Sequence, residues 1–415
     1  MRLNEVDAVL RDHLLAHDPA PVAVAFSGGG DSLALLLAAH AWARANGRAL
    51  LTLTLDHRLQ AGSAAWAAAC AATARRLGVA CRTLAWTGPK PERGLPAAAR
   101  AARHQRLADA AREAGARVLL MGHTADDVLE ARAMRRAGAT TPEPRVWTPS
   151  PAWPEGRGLF LLRPLLGQRR AAIRGWLQAR GESWIDDPAN TDLRYARPRA
   201  RAGLTDADAP KPPAAPADAA PLARAACMDA GGGLSVAREL LRAAERPAGL
   251  RFLSAACLCA AGTNRPPRGD RLQWLAAQAT GPAAFVSTLA GARIEGGEAE
   301  LRFSREPGEA ARGGLSPLSL PAGEAVVWDG RFELISAGAG LTVGLLAGRR
   351  KRLSPAEQRA LATLAAGGRG ALPVVTDGGD AVTSPALSAV ARLAIRALAH
   401  DRLLAACGAI LRETA

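Results

Sequence analysis

The chain has 415 residues, 49% of them hydrophobic, and a formal charge of +15. That is enough for two or three domains with real cores, and its strong positive balance points to a polyanionic partner such as nucleic acid. Cys70, Cys81, Cys227, Cys257, Cys259 and Cys407 show no C-x-x-C pair, and neither a signal peptide nor an apolar run of about 18 residues occurs, so a cytoplasmic protein with buried, reduced thiols and no membrane contact is expected.

Helix-like periodicity at 3–17, with Val6, Val9, Leu10 and Leu14 on one side, opens the chain. An apolar run at 22–26 then enters Ser27-Gly28-Gly29-Gly30-Asp31-Ser32, followed by an apolar-periodic stretch at 33–45. This predicts a strand, a glycine turn and a helix, with bare N–H groups and the helix's positive end directed at a phosphate. A Walker A loop would carry Lys-Ser/Thr where Asp31-Ser32 stand, and a carboxylate beside a polyphosphate calls for a bridging cation such as Mg²⁺. A capped flexible turn is the plainer alternative, but it needs neither three glycines nor Ser27.

Strands at 50–55, 79–86 and 118–121 alternate with helices at 63–77 and 97–114. The alternation implies an α/β fold with a parallel sheet, helices on both faces and ligands at the carboxyl ends of the strands. Gly122 to Glu130 follow the fourth strand. A helix starting at Thr124 would set Asp127 and Glu130 one turn apart on one side with His123 at its mouth, suited to a metal or a cationic amine. Favourable pairing of Asp126 and Asp127 with the helix dipole is the structural alternative.

Arg100 and Arg103 lie one turn apart on the preceding helix and suit a phosphate or carboxylate. A second αβ-like stretch spans 161–201. In it Asp187-Pro188-Ala189-Asn190 precedes Arg197, Arg199 and Arg201, whose alternation in an extended segment would form a one-sided stripe for a nucleic-acid backbone. The expected domains are an α/β one at 1–205, an Ala/Pro linker at 206–221, a helical domain at 222–283 and a small mixed α+β domain at 284–415. The last contains strands at 285–294, 299–303, 326–328 and 332–335 and a basic run at 349–352.

Taken together, Ser27 to Ser32, Asp56-His57, Arg100 with Arg103, Gly122-His123 with Asp126-Asp127 and Glu130, and Asp187-Pro188-Ala189-Asn190 with Arg197 resemble the ordered motifs of the tRNA(Ile)-lysidine synthetases, members of the pyrophosphatase-loop ATPases. Gln60 and Pro198 depart from the pattern, and the loop after Glu130 is short. The resemblance implies an adenine-nucleotide alpha hydrolase-like fold and a ligase acting on the wobble cytidine of a CAU-anticodon isoleucine tRNA. ATP adenylates the base at its C2 oxygen, and free lysine then displaces AMP to form lysidine.

It further implies ATP at Ser27, Gly28, Gly29, Gly30, Asp31 and Ser32, and Mg²⁺ at Asp31 and Asp127. Lysine falls to Arg103, Asp127 and Glu130, catalysis to Asp31, His123 and Asp127, and tRNA to Arg197, Arg199 and Arg201. The general base, among His123, a carboxylate and water, stays open, as does the oligomeric state, a homodimer included. A tRNA thiolase or a tRNA-binding protein with a dead ATP site are the alternatives. The first is weakened by the absence of paired cysteines near the loop and the second by the intact loop.

Overall fold

Burial along β1 (Val22–Ala25) explains the architecture of the first unit. Val22 and Val24 enter an apolar cluster with Leu10, Leu36, Trp42 and Ile173, whereas Ala23 enters another with Leu53, Leu107 and Ala111. A strand buried on both faces needs helices on both faces, and that arrangement is what a parallel sheet requires. The structure, a computed structural model, describes residues 1–60, 62–139, 141–186, 196–204, 216–308, 315–378 and 382–415. It divides into one unit of Met1–Ala215 with Ile410–Ala415 and a second of Pro216–Ala409.

In the first unit β1, β2 (Leu50–Asp56), β3 (Ala80–Ala85), β4 (Val118–Leu120), β5 (Trp147–Pro149) and β6 (Phe160–Leu162) form one sheet in the order β3-β2-β1-β4-β6-β5. Every pair is parallel except β5 with β6. The helices are α1 (Leu3–His13), α2 (Gly30–Ala45), α3 (Ser63–Arg76), α4 (Leu95–Glu113), α5 (Ala125–Arg136), α6 (Arg170–Gln178) and α7 (Ala196–Ala202). β1 and β4 are neighbours, so the turns leaving their carboxyl ends, 26–30 and 121–124, lie side by side. The expected α/β architecture is therefore present. Asp187-Pro188-Ala189-Asn190 and the linker positions 206–215 lie outside the described residues.

The second unit holds α8 (Ala220–Ala225), β7 (Cys227–Met228), β8 (Leu234–Ala237), α9 (Arg238–Ala243), α10 (Arg246–Ala261), α11 (Gly269–Thr280), β9 (Phe285–Leu289), β10 (Ala292–Gly296) and β11 (Glu300–Arg305). Its strands pair antiparallel in the order β7-β8-β11-β10-β9. Two three-stranded sheets follow, β12-β15-β16 and β13-β14-β17, built from β12 (Leu318–Ser319), β13 (Ala325–Trp328), β14 (Phe332–Ser336), β15 (Thr342–Leu345), β16 (Pro373–Thr376) and β17 (Leu393–Ala397). α12 (Pro355–Thr363) and α13 (Ala399–Cys407) complete it.

Phe252 and Leu275 from the helices share one core with Ile294, Leu301, Phe303 and Leu403, so that core runs across 283/284. Two expectations are corrected here. Strands β7 and β8 interrupt the expected helical stretch. The strand at 285–294 is a hairpin turned by Ala290 and Gly291, both at positive φ. Among the described residues no helix is long and apolar enough to cross a membrane.

Residues 410–415 belong to the first unit through a buried ion pair. The Glu413 carboxylate takes two hydrogen bonds from Arg48, each 3.0 Å, and one of 2.9 Å from the Leu15 N–H, with both charged side chains wholly buried. Trp147 donates its indole N–H to the Ile410 carbonyl at 2.9 Å. Removing one partner of a buried pair leaves the other charge uncompensated. Glu413→Ala is therefore expected to lower unfolding free energy by about 3 kcal/mol in denaturant titration, whereas the exposed Glu298→Ala should change it by less than about 0.5 kcal/mol.

Candidate active site

The glycine loop has the predicted place and a more economical geometry than expected. Phe26 closes β1 by donating its N–H to the Leu53 carbonyl at 2.9 Å, and the chain then turns at Gly28, whose φ is +80°. Of the three glycines only Gly28 is left-handed. Gly29 is extended and precedes the first turn of α2, and Gly30 is already helical. A Cβ on Gly28 would come within 2.5 Å of Ile185 Cδ1 and 3.0 Å of Cys70 Sγ, so the position is closed to side chains for two reasons. The Ser32 hydroxyl lies 3.2 Å from that of Ser27 and donates to the Gly29 carbonyl at 2.9 Å, which fixes the loop while the first N–H groups of α2 stay free of intrahelical partners.

The neighbouring turn is fitted against it. A Cβ on Gly122 would meet the Asp31 and Ser32 backbone at 3.2 Å, so glycine lets β4 end directly beside the first turn of α2. α5 then starts as predicted, with Thr124 as its N-cap. Asp127 Oδ2 accepts from the Thr124 N–H at 2.8 Å and from its hydroxyl at 3.0 Å. Asp127 and Glu130 are both buried on one side of this helix, Glu130 completely.

One arginine binds the carboxylates of both turns. Arg170, the first residue of α6, donates to Asp31 Oδ2 at 3.0 Å and to Glu130 Oε1 at 3.1 Å, and lies 3.6 Å from Asp127 Oδ2. Its own N–H is held by Asp126 Oδ2 at 2.7 Å. Burial favours the neutral guanidine, but Asp127, Asp31 and Glu130 outweigh it and hold Arg170 above its ordinary value. Burial, reinforced by Asp127, pushes the Asp31 carboxyl up from its ordinary range, and Arg170 offsets this only in part.

His123, just before the N-cap of α5, is buried as well. Arg163, immediately after β6, donates its Nε–H to His123 Nδ1 at 3.0 Å. It also donates from Nη1 to the Arg145 carbonyl at 2.8 Å and to Thr148 Oγ1 at 3.1 Å. Burial, then the charges of Arg163, Arg103, Arg197 and Arg100, keep His123 well below its usual pKa. Arg103 is itself pushed down to about 10 by burial and by Arg100 and Arg197, and Asp127 is the anion within its electrostatic reach.

The structure therefore brings together Ser27 to Ser32, Asp31, His123, Asp127 and Glu130, with Arg103 at the margin. It corrects the extended arginine stripe. α7 is helical, so Arg197 and Arg201 face the carboxylates together: Arg201 Nε donates to Glu130 Oε1 at 2.8 Å, and Arg197 lies 3.7 Å from Asp127 Oδ1. Arg199 is exposed on another side. The thiol expectation fails at Cys227, which is exposed, while Cys257 and Cys259 are buried and pushed up to about 12 by burial. Among the described residues no group of three or more His, Cys, Asp and Glu forms a metal cluster.

Arg163 and Arg170 are absent from the sequence reading. A charge directly after the apolar run Phe160-Leu161-Leu162 was the available signal for Arg163. Arg170 stands in an Arg169-Arg170 pair that resembles any other on so arginine-rich a chain.

Residues 4–207 match the PP-loop domain family. Over its whole length the chain is 49% identical to the full tRNA(Ile)-lysidine synthase of Caulobacter vibrioides. It is 36% identical to that of Hyphomonas neptunium across 80% of this chain and 92% of the relative, and 36% identical to that of Brucella ovis across 76% and 74%.

Two outcomes follow from this geometry. Gly28→Ala, strained at φ +80° and clashing with Ile185, is expected to abolish detectable nucleotide binding in calorimetry while the fold persists by circular dichroism. A raised Asp31 pKa means the folded state holds this proton more tightly than the unfolded state. Stability from this group is then greatest below the unfolded value, about 3.9, and is lost as pH rises through the folded one. The stability of the wild type minus that of Asp31→Asn is thus expected to fall with rising pH across the acid range in urea titrations.

Proposed function

From the premise that this chain belongs to the tRNA(Ile)-lysidine synthases, ATP-dependent ligases that form lysidine on tRNA(Ile), we propose how its residues divide that reaction. The observation that carries the reading is the convergence of Asp31, Asp127 and Glu130 on one guanidinium at the mouths of two adjacent strands. One carboxylate belongs to the phosphate loop and two to the helix beside it. The nucleotide and a cationic second substrate would therefore meet at this point.

The free N–H groups at the start of α2 and the hydroxyls of Ser27 and Ser32 bind the pyrophosphate part of ATP. The C2 oxygen of the wobble cytidine of a CAU-anticodon tRNA attacks the α-phosphorus and pyrophosphate leaves. The neutral ε-amine of lysine then attacks C2, and AMP departs with the oxygen. Activation as an adenylate gives a weakly electrophilic ring carbon a good leaving group. Asp127 and Glu130 receive the ammonium groups of lysine, and Arg103 its carboxylate. In this structure Arg170 and Arg201 supply the positive charge that lysine would bring to Glu130.

Mg²⁺ fits the same donors. Asp31 is a half-buried carboxyl raised by partial desolvation and by Asp127, which is the environment a divalent cation relieves, and Arg170 now supplies that compensation. Asp31 and Asp127 would hold the ion, which when bound neutralises charge on the departing pyrophosphate. His123 faces the reacting nucleotide. Arg199 and the exposed basic run 350–352 offer contacts to tRNA phosphates. The buried Cys257 and Cys259 disfavour sulfur transfer.

Purified protein is expected to attach radiolabelled lysine to unmodified CAU-anticodon tRNA only with ATP and Mg²⁺, releasing one AMP per lysine, and Asp31→Ala to abolish this. Glu130→Gln should raise KM for lysine by about tenfold to a hundredfold, the value of a hydrogen bond to a charged group. Incorporation without ATP, or activation of another small substrate in preference to lysine, would contradict the assignment.

A further inference from the structure

We propose that Arg163 is a positioning residue for the ligation. By donating Nε–H to His123 Nδ1 across 3.0 Å, it fixes the imidazole as the Nε2–H form, so that His123 meets the nucleotide as a hydrogen-bond donor and not as a base. A guanidinium has donors and no acceptor, so Nδ1 must present its lone pair. In a neutral ring the remaining proton then sits on Nε2. Both side chains are buried, Arg163 6% and His123 8% exposed, so water does not offer Nδ1 another partner. Arg163 cannot readily turn away either, because its Nη1 is held by the Arg145 carbonyl and the Thr148 hydroxyl at β5.

The charged ring is excluded by the same surroundings. An imidazolium would set an Nδ1–H against the Arg163 Nε–H and would place its charge among Arg163 after β6, Arg100 and Arg103 of α4, and Arg197 of α7. The base that takes the lysine proton is therefore one of the carboxylates or water, which settles the choice that the sequence left open against His123. This consequence rests on the ligation reading above. The tautomer itself does not.

Nitrogen-15 spectroscopy of histidine-labelled full-length protein tests the tautomer without any substrate, the His123 signals being those lost in His123→Gln. The expected spectrum has a bare Nδ1, a protonated Nε2 and no titration from pH 8 down to about 5, well past the ordinary histidine value near 6.5. A protonated Nδ1, or a midpoint near that value, would overturn the proposal whether or not lysine is the substrate. In the second arm Arg163→Met is expected to lower kcat for lysine incorporation by about tenfold. It should also add an acid limb to the pH profile as His123 begins to titrate, with Arg163→Lys restoring part of both. A loss of kcat with the wild-type pH profile unchanged would mark Arg163 as merely structural. Should Arg163→Met fail to fold, the wild-type spectrum still decides.

Discussion

Everything in the catalytic half of this protein turns on the ion pairs of Arg170. The sheet can bring the ends of β1 and β4 together, but it brings the half-buried Asp31 together with the buried Asp127 and Glu130 as well, and three carboxylates in one place repel each other. Arg170 resolves the conflict and is itself held by Asp126, so that α6 is placed by the acidic residues it neutralises. The geometry of the glycine loop and that of the first turns of α5 are thus not independent. A ligand that changes the charge at either one alters what the shared guanidinium does for the other.

The abundance of arginine takes on a different meaning once these side chains are located. Arg48, Arg163, Arg238, Arg305 and Arg331 are all buried. Among the described residues Arg238 meets no carboxylate and instead donates to main-chain oxygens, including Gln278 at 2.8 Å and Ala279 at 3.1 Å near the end of α11, where helix carbonyls lack partners. A planar fork of five donors suits such internal ties better than an ammonium does. Part of the +15 charge is therefore structural, and the net figure overstates what the surface offers to nucleic acid.

The elements that the sequence made legible are those in which local chemistry and tertiary demand agree. An apolar run, a tripeptide of glycine and a periodic stretch left little choice for β1, the loop and α2, and the helix expected from Thr124 onward is α5, where the structure adds a capping box between Thr124 and Asp127. Failures occurred where the two disagree. Ala290 in a left-handed turn carries no turn signal, so a hairpin read as one strand. Arg-x-Arg-x-Arg at 197–201 has the period of a strand, yet its alanines favour helix and Pro198 falls in the first turn, where its missing N–H does no harm. Arg170 was invisible because nothing in one dimension separates a solvated guanidinium from one that three carboxylates enclose.

The buried Glu413 has a topological corollary. Residues 216–409 leave the first unit at one point and residues 410–415 return to it, so the second unit is spliced into the first rather than appended to it. Cleavage of the Ala/Pro-rich stretch before Pro216 would leave the two halves joined through the return crossing. A module joined at both ends needs two cuts, not one, to be released from the chain.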